Sequence, residues 1–245
     1  MCVGGRNMNI AVIFAGGTGQ RMNTKTRPKQ FLELHGKPIL VYTIEEFNRH
    51  PEIDGIVLVI LNSWVAYTKE LVEKFHLSKV KAVISGGDTA LESQHLGLKE
   101  TEKLFGEDAI VLIHDGVRPL IDSETISRNI ECVKNHGTAI TVTPAIETIT
   151  IKNEKEEIGQ IIERSKVEMA RAPQSFYLKD ILKAHRKALK DKLSFIDSAS
   201  MMKHYGYLLY TVQGLPENIK ITTPNDFYTF RALIDAKENS QIFGI

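Results

Sequence analysis

Cysteine is scarce: Cys2 and Cys132 are the only two among 245 residues. Two thiols build neither a disulfide framework nor a four-ligand metal site, so a reducing, cytoplasmic setting is expected. An excess of one charge sign is lacking as well. With 31 Lys and Arg against 30 Asp and Glu, the net charge is +1. That balance argues against bulk, phosphate-driven binding of nucleic acid, which needs a strongly basic face. Small anions remain open, because a few local charges handle them. No apolar run reaches membrane-spanning length, and Met1-Cys2-Val3-Gly4-Gly5-Arg6-Asn7 carries no signal core. Neither nucleic acid nor a membrane is therefore an expected partner.

What is present is an ordinary globular composition, 42% hydrophobic and 25% charged. The length suits one α/β domain over 8–245, with residues 1–7 as a flexible extension ahead of Met8. Short apolar runs at Ile10–Phe14, Ile56–Leu61, Val80–Ile84 and Ala109–Ile113 read as buried parallel strands. Between them, Pro38–Asn48, Trp64–Phe75 and Thr89–Leu104 carry helical spacing. Ser123–Asn135 follows, with Ser123 as its N-cap and Gly137 as its stop. This alternation predicts a Rossmann-like, doubly wound, mostly parallel sheet, with ligands at the carboxyl ends of its strands. The β-branched, alternating stretch from about 139 to 174 predicts a hairpin arm projecting from that sheet. Helix Lys179–Leu189, a strand near Tyr207–Val212 and a helix from Pro224 complete the chain.

Three loops at predicted carboxyl ends carry the chemistry. The first is Ala15-Gly16-Gly17-Thr18-Gly19-Gln20-Arg21-Met22, followed by Arg27-Pro28-Lys29-Gln30. It is either a plain tight turn or an anion cradle of uncovered N–H groups, with Arg21 and Lys29 adding fixed positive charge. Two nucleotide motifs are missing from it. Met22 stands where a dinucleotide fingerprint needs its third glycine, and no Gly-Lys-Ser/Thr follows. The flanking cations favour a triphosphate. The second is His114-Asp115-Gly116-Val117-Arg118-Pro119. Asp115 is placed either to hold a phosphate-bound Mg²⁺ or to pair with Arg118, and His114 reads as structural rather than as a base. The third is Gly86-Gly87-Asp88, a turn or a place where a base meets the backbone, with Asp88 and Ser93 able to read polar edges. Lys220, in Glu217-Asn218-Ile219-Lys220, is either surface charge or a further phosphate ligand.

Taken in order, Phe14–Met22, Pro28-Lys29-Gln30-Phe31, Gly86-Gly87-Asp88, His114–Pro119, Ala172-Pro173-Gln174-Ser175-Phe176 and Asn218–Thr222 resemble the CTP:polyol-phosphate cytidylyltransferases. That family includes the ribitol-5-phosphate and the 2-C-methyl-D-erythritol 4-phosphate enzymes, and the resemblance spans Met8 to about residue 235. It implies a nucleotide-diphospho-sugar transferase-like fold. It also implies transfer of CMP from CTP to a polyol phosphate, with pyrophosphate released and Mg²⁺ as cofactor. By similarity, Arg21, Lys29 and Lys220 are catalytic cations, and Ala15, Gly16, Gly17, Gly19, Gly87, Asp88 and Ser93 meet the nucleotide. Asp115 holds the metal or substrate, and Arg118, Thr148, Arg164 and Lys220 lie around the polyol phosphate. In the family the arm swaps between subunits, so a homodimer is implied, with Thr148 and Arg164 serving the partner's site.

Phe14 and the text around Asn62-Ser63-Trp64-Val65, Lys37–Leu40 and Ala145–Ile149 look more like the ribitol type than the isoprenoid type. Ala90, Ala172 and Ile196 depart from both, replacing an arginine and two threonines. Loss of polar groups near an acceptor changes which hydroxyls are satisfied, so another alditol phosphate stays open as substrate. So does a nucleotide-binding regulator that has lost turnover. A nicotinamide oxidoreductase is disfavoured by Met22.

Overall fold

A computed structural model of the chain describes residues 7–17 and 27–243. Its centre is a seven-stranded sheet in the order β11-β7-β10-β6-β1-β4-β5. The strands are β1 (Asn9–Ala15), β4 (Gly55–Ile60), β5 (Val80–Ser85), β6 (Ile110–Asp115), β7 (Thr138–Pro144), β10 (Glu168–Tyr177) and β11 (Thr211–Gln213). Only β10 runs antiparallel to its neighbours, β6 and β7. The solid apolar runs are the reason the sheet is parallel and covered on both faces: β4, Gly-Ile-Val-Leu-Val-Ile, is buried at every position.

Alternation along each strand divides the core in two. Ala11 and Ile13 of β1 and Leu58 of β4 meet helices α1 (Ile39–Arg49), α2 (Val65–Lys74) and α4 (Ser123–His136) on one face. Ile10, Val12 and Val59 meet α3 (Ala90–Phe105), α5 (Leu178–Asp191) and α6 (Ser198–His204) on the other. Each fully buried Ile or Leu contributes about 1.5–3 kcal/mol. The connections from β1 through α1 and α2 stay on one face, and α3 then crosses to the other and delivers β6 beside β1. The order therefore reverses at β1, so a crevice opens where β1 and β6 part.

Two elements bring the chain's end to that crevice. A short antiparallel pair, β2 (Glu33–Leu34) and β3 (Lys37–Pro38), precedes α1. Helix α7 (Pro224–Phe243) buries Phe230 with Leu34, Ile39, Val117 and Ile221. The Ile221 amide then donates to the Val117 carbonyl at 2.9 Å, which sets Lys220 beside the β6 loop.

Several expectations need correction. The N-cap of α4 is Asp122, whose carboxylate accepts from the Thr125 amide, and Ser123 is the first helical residue. Gly137 does end α4, at φ 86°. The arm is shorter than 139–174. Within that stretch β8 (Ile149–Lys152) and β9 (Ile158–Ile162) form a separate two-stranded sheet, and the flanks belong to β7 and β10 of the main one. Alternation misled here because β7 is β-branched yet buried at Thr138–Thr143, where both of its faces are covered. The strand expected near Tyr207–Val212 is Thr211–Gln213, and α6 has no counterpart in the sequence reading.

β10 carries an irregularity that matters below. Its pairing with β7 jumps from Ala170↔Val142 to Gln174↔Ile140, so Arg171, Ala172 and Pro173 bulge out of the ladder. Proline cannot donate to a ladder and is tolerated in a bulge. Bulged strands re-aim side chains. The freed carbonyls are satisfied by long-range partners: Asn218 Nδ2 donates to Ala172 O (2.7 Å) and Thr141 Oγ1 to Pro173 O (2.7 Å).

Candidate active site

A cavity of about 490 Å³ opens at the carboxyl ends of β1, β5 and β6. Its size is ordinary for a small-ligand site. It is lined by Ala15, Gly16, Gly17, Lys29, Gly87, Asp88, Ser93, Asp115, Arg118 and Lys220, ten of the residues expected from sequence. Gly19 and Arg21 lie outside the described residues. Thr148 and Arg164 do not line the cavity; both are exposed in the arm, where Arg164 Nη1 donates to the Ile146 carbonyl at 3.1 Å.

The β1 loop leaves its edge open. Among the described residues, a Cβ added at Gly16 or Gly17 would meet nothing within 4 Å. The loop is tied from below by Gln30, whose Nε2 donates to Ala15 O (2.6 Å) and Gly17 O (3.2 Å). Gln30 and Lys29 sit in a short 3-10 turn, Lys29–Phe31, anchored by Phe31 stacked on Trp64 with ring centroids 4.5 Å apart. Lys29 is only 8% exposed.

The β5 loop has a different reason for glycine. A Cβ on Gly86 would stand 2.7 Å from Ser93 Oγ, and one on Gly87 would stand 2.7 Å from Glu92 Cβ. Ser93 Oγ accepts from the Gly87 amide (3.1 Å), and Thr89 and Glu92 form a reciprocal capping box at the start of α3. Ser93 thus first shapes the loop.

Asp115 ends β6 opposite Phe14 of β1. Arg118 Nε donates to its Oδ2 (2.8 Å) and Lys220 Nζ to its Oδ1 (2.7 Å), while Arg118 Nη1 donates to Asn218 O (2.9 Å). Burial alone would raise the carboxyl's pKa, but these two cations outweigh it and hold it well below the usual range. Asp115 is therefore ionised, and both sequence readings hold together: the ion pair exists, and the carboxylate still faces the cavity. Gly116 is required on packing grounds, since a Cβ there would stand 2.9 Å from both Ala15 Cβ and Leu40 Cδ1.

His114 is buried beneath this cluster with Nε2 3.2 Å from the Arg118 carbonyl. Burial lowers its pKa to about 4. It is neutral near pH 7 and structural.

On the far side of β6 the bulge presents Arg171 and Ala172, joined by Gln174, Asp197 and Ile196. Gln174 Nε2 donates to Asp197 Oδ2 (2.9 Å) and its Oε1 accepts from the Ala199 amide (2.8 Å). Ile196 is 96% exposed although apolar. Roles for Gln30, Arg171, Gln174, Asp197 and Asn218 were missed from sequence. Gln30, Gln174 and Asn218 fall inside quoted motifs, where a polar residue flanked by buried ones was the available signal. Arg171 had no local signal, because only the bulge brings it to the cavity.

Comparison with known proteins gives related enzymes at several levels, with two acceptors in their names. Residues 9–236 match the family model described as 2-C-methyl-D-erythritol 4-phosphate cytidylyltransferase. A ribitol-5-phosphate cytidylyltransferase of Vibrio parahaemolyticus is 51% identical over 97% of this chain and all of its own length. One from Streptococcus agalactiae is 52% identical over the same shares. A 2-C-methyl-D-erythritol 4-phosphate cytidylyltransferase of Clostridium acetobutylicum is 39% identical over 95% of this chain and 99% of its own. Among solved structures, the 4-diphosphocytidyl-2C-methyl-D-erythritol synthase of Anaerococcus prevotii superposes with a TM-score of 0.82. It is 28% identical, covering 94% of this chain and 96% of the other.

Proposed function

The chain belongs to the 2-C-methyl-D-erythritol 4-phosphate cytidylyltransferase family, and from that premise we propose that it transfers CMP from CTP to ribitol 5-phosphate or a close alditol phosphate. A non-bridging oxygen of the acceptor's phosphate attacks the α-phosphorus of CTP. The bond from that phosphorus to the α–β bridging oxygen breaks, and pyrophosphate leaves in line. The products are a CDP-alditol and pyrophosphate.

The observation that carries this reading is the Asp115-centred cluster of cations beside an open glycine edge. Two anionic groups must meet, so the barrier is largely electrostatic, and preorganised cations lower it. Lys29 and Arg21 neutralise the triphosphate and the leaving pyrophosphate. Lys220 and Arg118, held by Asp115, meet the acceptor's phosphate. The nucleophile is already ionised near neutral pH, its second pKa being about 6, so no general base is needed and His114 is not asked to be one. Gly16 and Gly17 offer N–H groups to the phosphates, and Gly87, Asp88 and Ser93 accommodate the cytidine.

A divalent cation fits beside Asp115. Each carboxylate oxygen gives one lone-pair site to a cation and keeps another. Mg²⁺ characteristically takes one or two carboxylates together with phosphate oxygens and water. Held by Asp115, it would supply further charge neutralisation at the triphosphate. The arm supports assembly as a homodimer, because Ile146, Ile151, Ile158 and Ile161 are exposed on or beside it.

For the acceptor, the 51–52% identity to two proteins named for ribitol 5-phosphate favours that alditol over methylerythritol phosphate, for which the Clostridium acetobutylicum relative stands at 39%. The test is pyrophosphate release from CTP with ribitol 5-phosphate, methylerythritol 4-phosphate and other alditol phosphates in parallel. Ribitol 5-phosphate should give a kcat/KM at least about tenfold above methylerythritol phosphate, the size of a modest hydroxyl-pairing difference. A reversed order would assign the isoprenoid acceptor, and no release with any of them would remove the enzymatic reading.

A further inference from the structure

We propose that Arg171 is a ligand of the acceptor's phosphate, gripping it as a fork through its two terminal nitrogens. The proposal deepens the reaction above and rests on it for the identity of the acceptor, but not for the presence of a phosphate site.

Among the described residues, four cations line the cavity: Lys29, Arg118, Arg171 and Lys220. Arg118 and Lys220 share the Asp115 carboxylate. Lys29 and Asp226 attract one another. Arg171 has no carboxylate within ion-pair distance among the described residues. Its one hydrogen bond runs from Nε to Thr143 Oγ1 at 3.2 Å, and Thr143 is itself buried. The head group is therefore pinned at Nε, and among the described residues Nη1 and Nη2 have no hydrogen-bond partner. That half of a guanidinium matches two oxygens of a phosphate.

Its surroundings work against an uncompensated charge. Burial first, and the charge of Arg118 second, press against its protonated form. A guanidinium nevertheless keeps its proton, so an anion placed against it would be favoured. The backbone beneath it is fixed for the purpose, because Asn218 and Thr141 hold the carbonyls of the two bulge residues that follow. The bulge is thus a rigid mount for a cation that no described carboxylate neutralises.

Position selects the acceptor over the triphosphate. β10 is separated from β1 by β6. Arg171 thus stands two strand spacings, about 10 Å, from the glycine loop, with Asp115 between them. It shares its side of the cavity with Ala172, Asp197 and the exposed Ile196.

The experiment compares wild type with Arg171→Gln and Arg171→Lys. It measures KM for ribitol 5-phosphate, KM for CTP, and binding of inorganic phosphate to the CTP-loaded protein by calorimetry. Arg171→Gln should raise the acceptor KM about tenfold or more and weaken phosphate binding by a similar factor, while the CTP KM stays within about twofold. Arg171→Lys, which keeps the charge and loses the fork, should raise the acceptor KM by roughly threefold. Equal melting temperatures for the variants exclude a folding defect. An acceptor KM within about twofold of wild type in Arg171→Gln would overturn the proposal, as would a parallel rise in both KM values. Phosphate binding that is weakened in Arg171→Gln by about tenfold or more supports the site even if ribitol 5-phosphate proves the wrong acceptor. Phosphate binding that keeps its wild-type affinity overturns it.

Discussion

The glycine loops after β1 and β5 and the bulged strand β10 line one cavity from opposite sides, and they are built in different ways. The donor side is made from local segments. Gln30 ties a loop 13 to 15 residues away, and Ser93 ties one six residues away. Its cavity lining combines the glycine backbone at Gly16, Gly17 and Gly87 with Lys29, Asp88 and Ser93. The acceptor side is made from side chains gathered from far along the chain. Asn218 reaches Ala172 across 46 residues, Arg118 reaches Asn218 across 100, and Lys220 reaches Asp115 across 105. A cradle of main-chain donors suits any triphosphate, whereas a set of distant side chains can be changed one at a time. The two sides can therefore evolve independently, with the donor fixed and the acceptor adjusted.

The sharpest way to break this division is Lys29→Ala. Loss of one preorganised cation should lower kcat by about 10²–10³-fold. The fold should persist, because Phe31 and Trp64 anchor the turn independently of the ammonium. Steady-state kinetics beside a melting curve reads both. An effect confined to the acceptor KM would place Lys29 on the other side and blur the comparison.

A smaller effect is expected beneath the bulge. Asn129 is fully buried, donates from Nδ2 to Thr125 O (2.9 Å) and Thr141 Oγ1 (2.9 Å), and accepts from Ser175 Oγ (2.9 Å). Asn129→Ala leaves buried partners unsatisfied and should cost about 2–3 kcal/mol, or roughly 4–12 °C in Tm. Because Thr141 also holds the bulge carbonyl of Pro173, the acceptor KM should rise while the CTP KM holds. Equal changes in both KM values would mean that the two sides are mechanically one.

The same division explains what was legible in the sequence. Buried strands and the helices between them announce themselves through local periodicity, and so do glycine loops at strand ends, since both depend on near neighbours. Lys29, Gly87, Ser93 and Asp115 were found that way. The bulge was not, because Ala-Arg-Ala-Pro carries no period and its meaning comes from Asn218 and Thr141. The arm was drawn too long for a related reason: alternation in β7 and β10 is the same whether a strand projects or is covered on both faces, and burial is a property of the whole fold. Asp115 and Arg118 were seen as a pair, but Lys220 joined them only through the docking of Ile221 and Phe230.

The central claim is that the acceptor's phosphate oxygen becomes the bridge to CMP. It is tested most directly by ³¹P NMR of a reaction between CTP and ribitol 5-phosphate carrying ¹⁸O throughout its phosphate. The account predicts CDP-ribitol with all of the label on the ribitol-side phosphate and its bridging oxygen, and pyrophosphate with none. Labelled ribitol bearing a diphosphate beside released CDP, or unchanged labelled acceptor beside CMP and pyrophosphate, would contradict it.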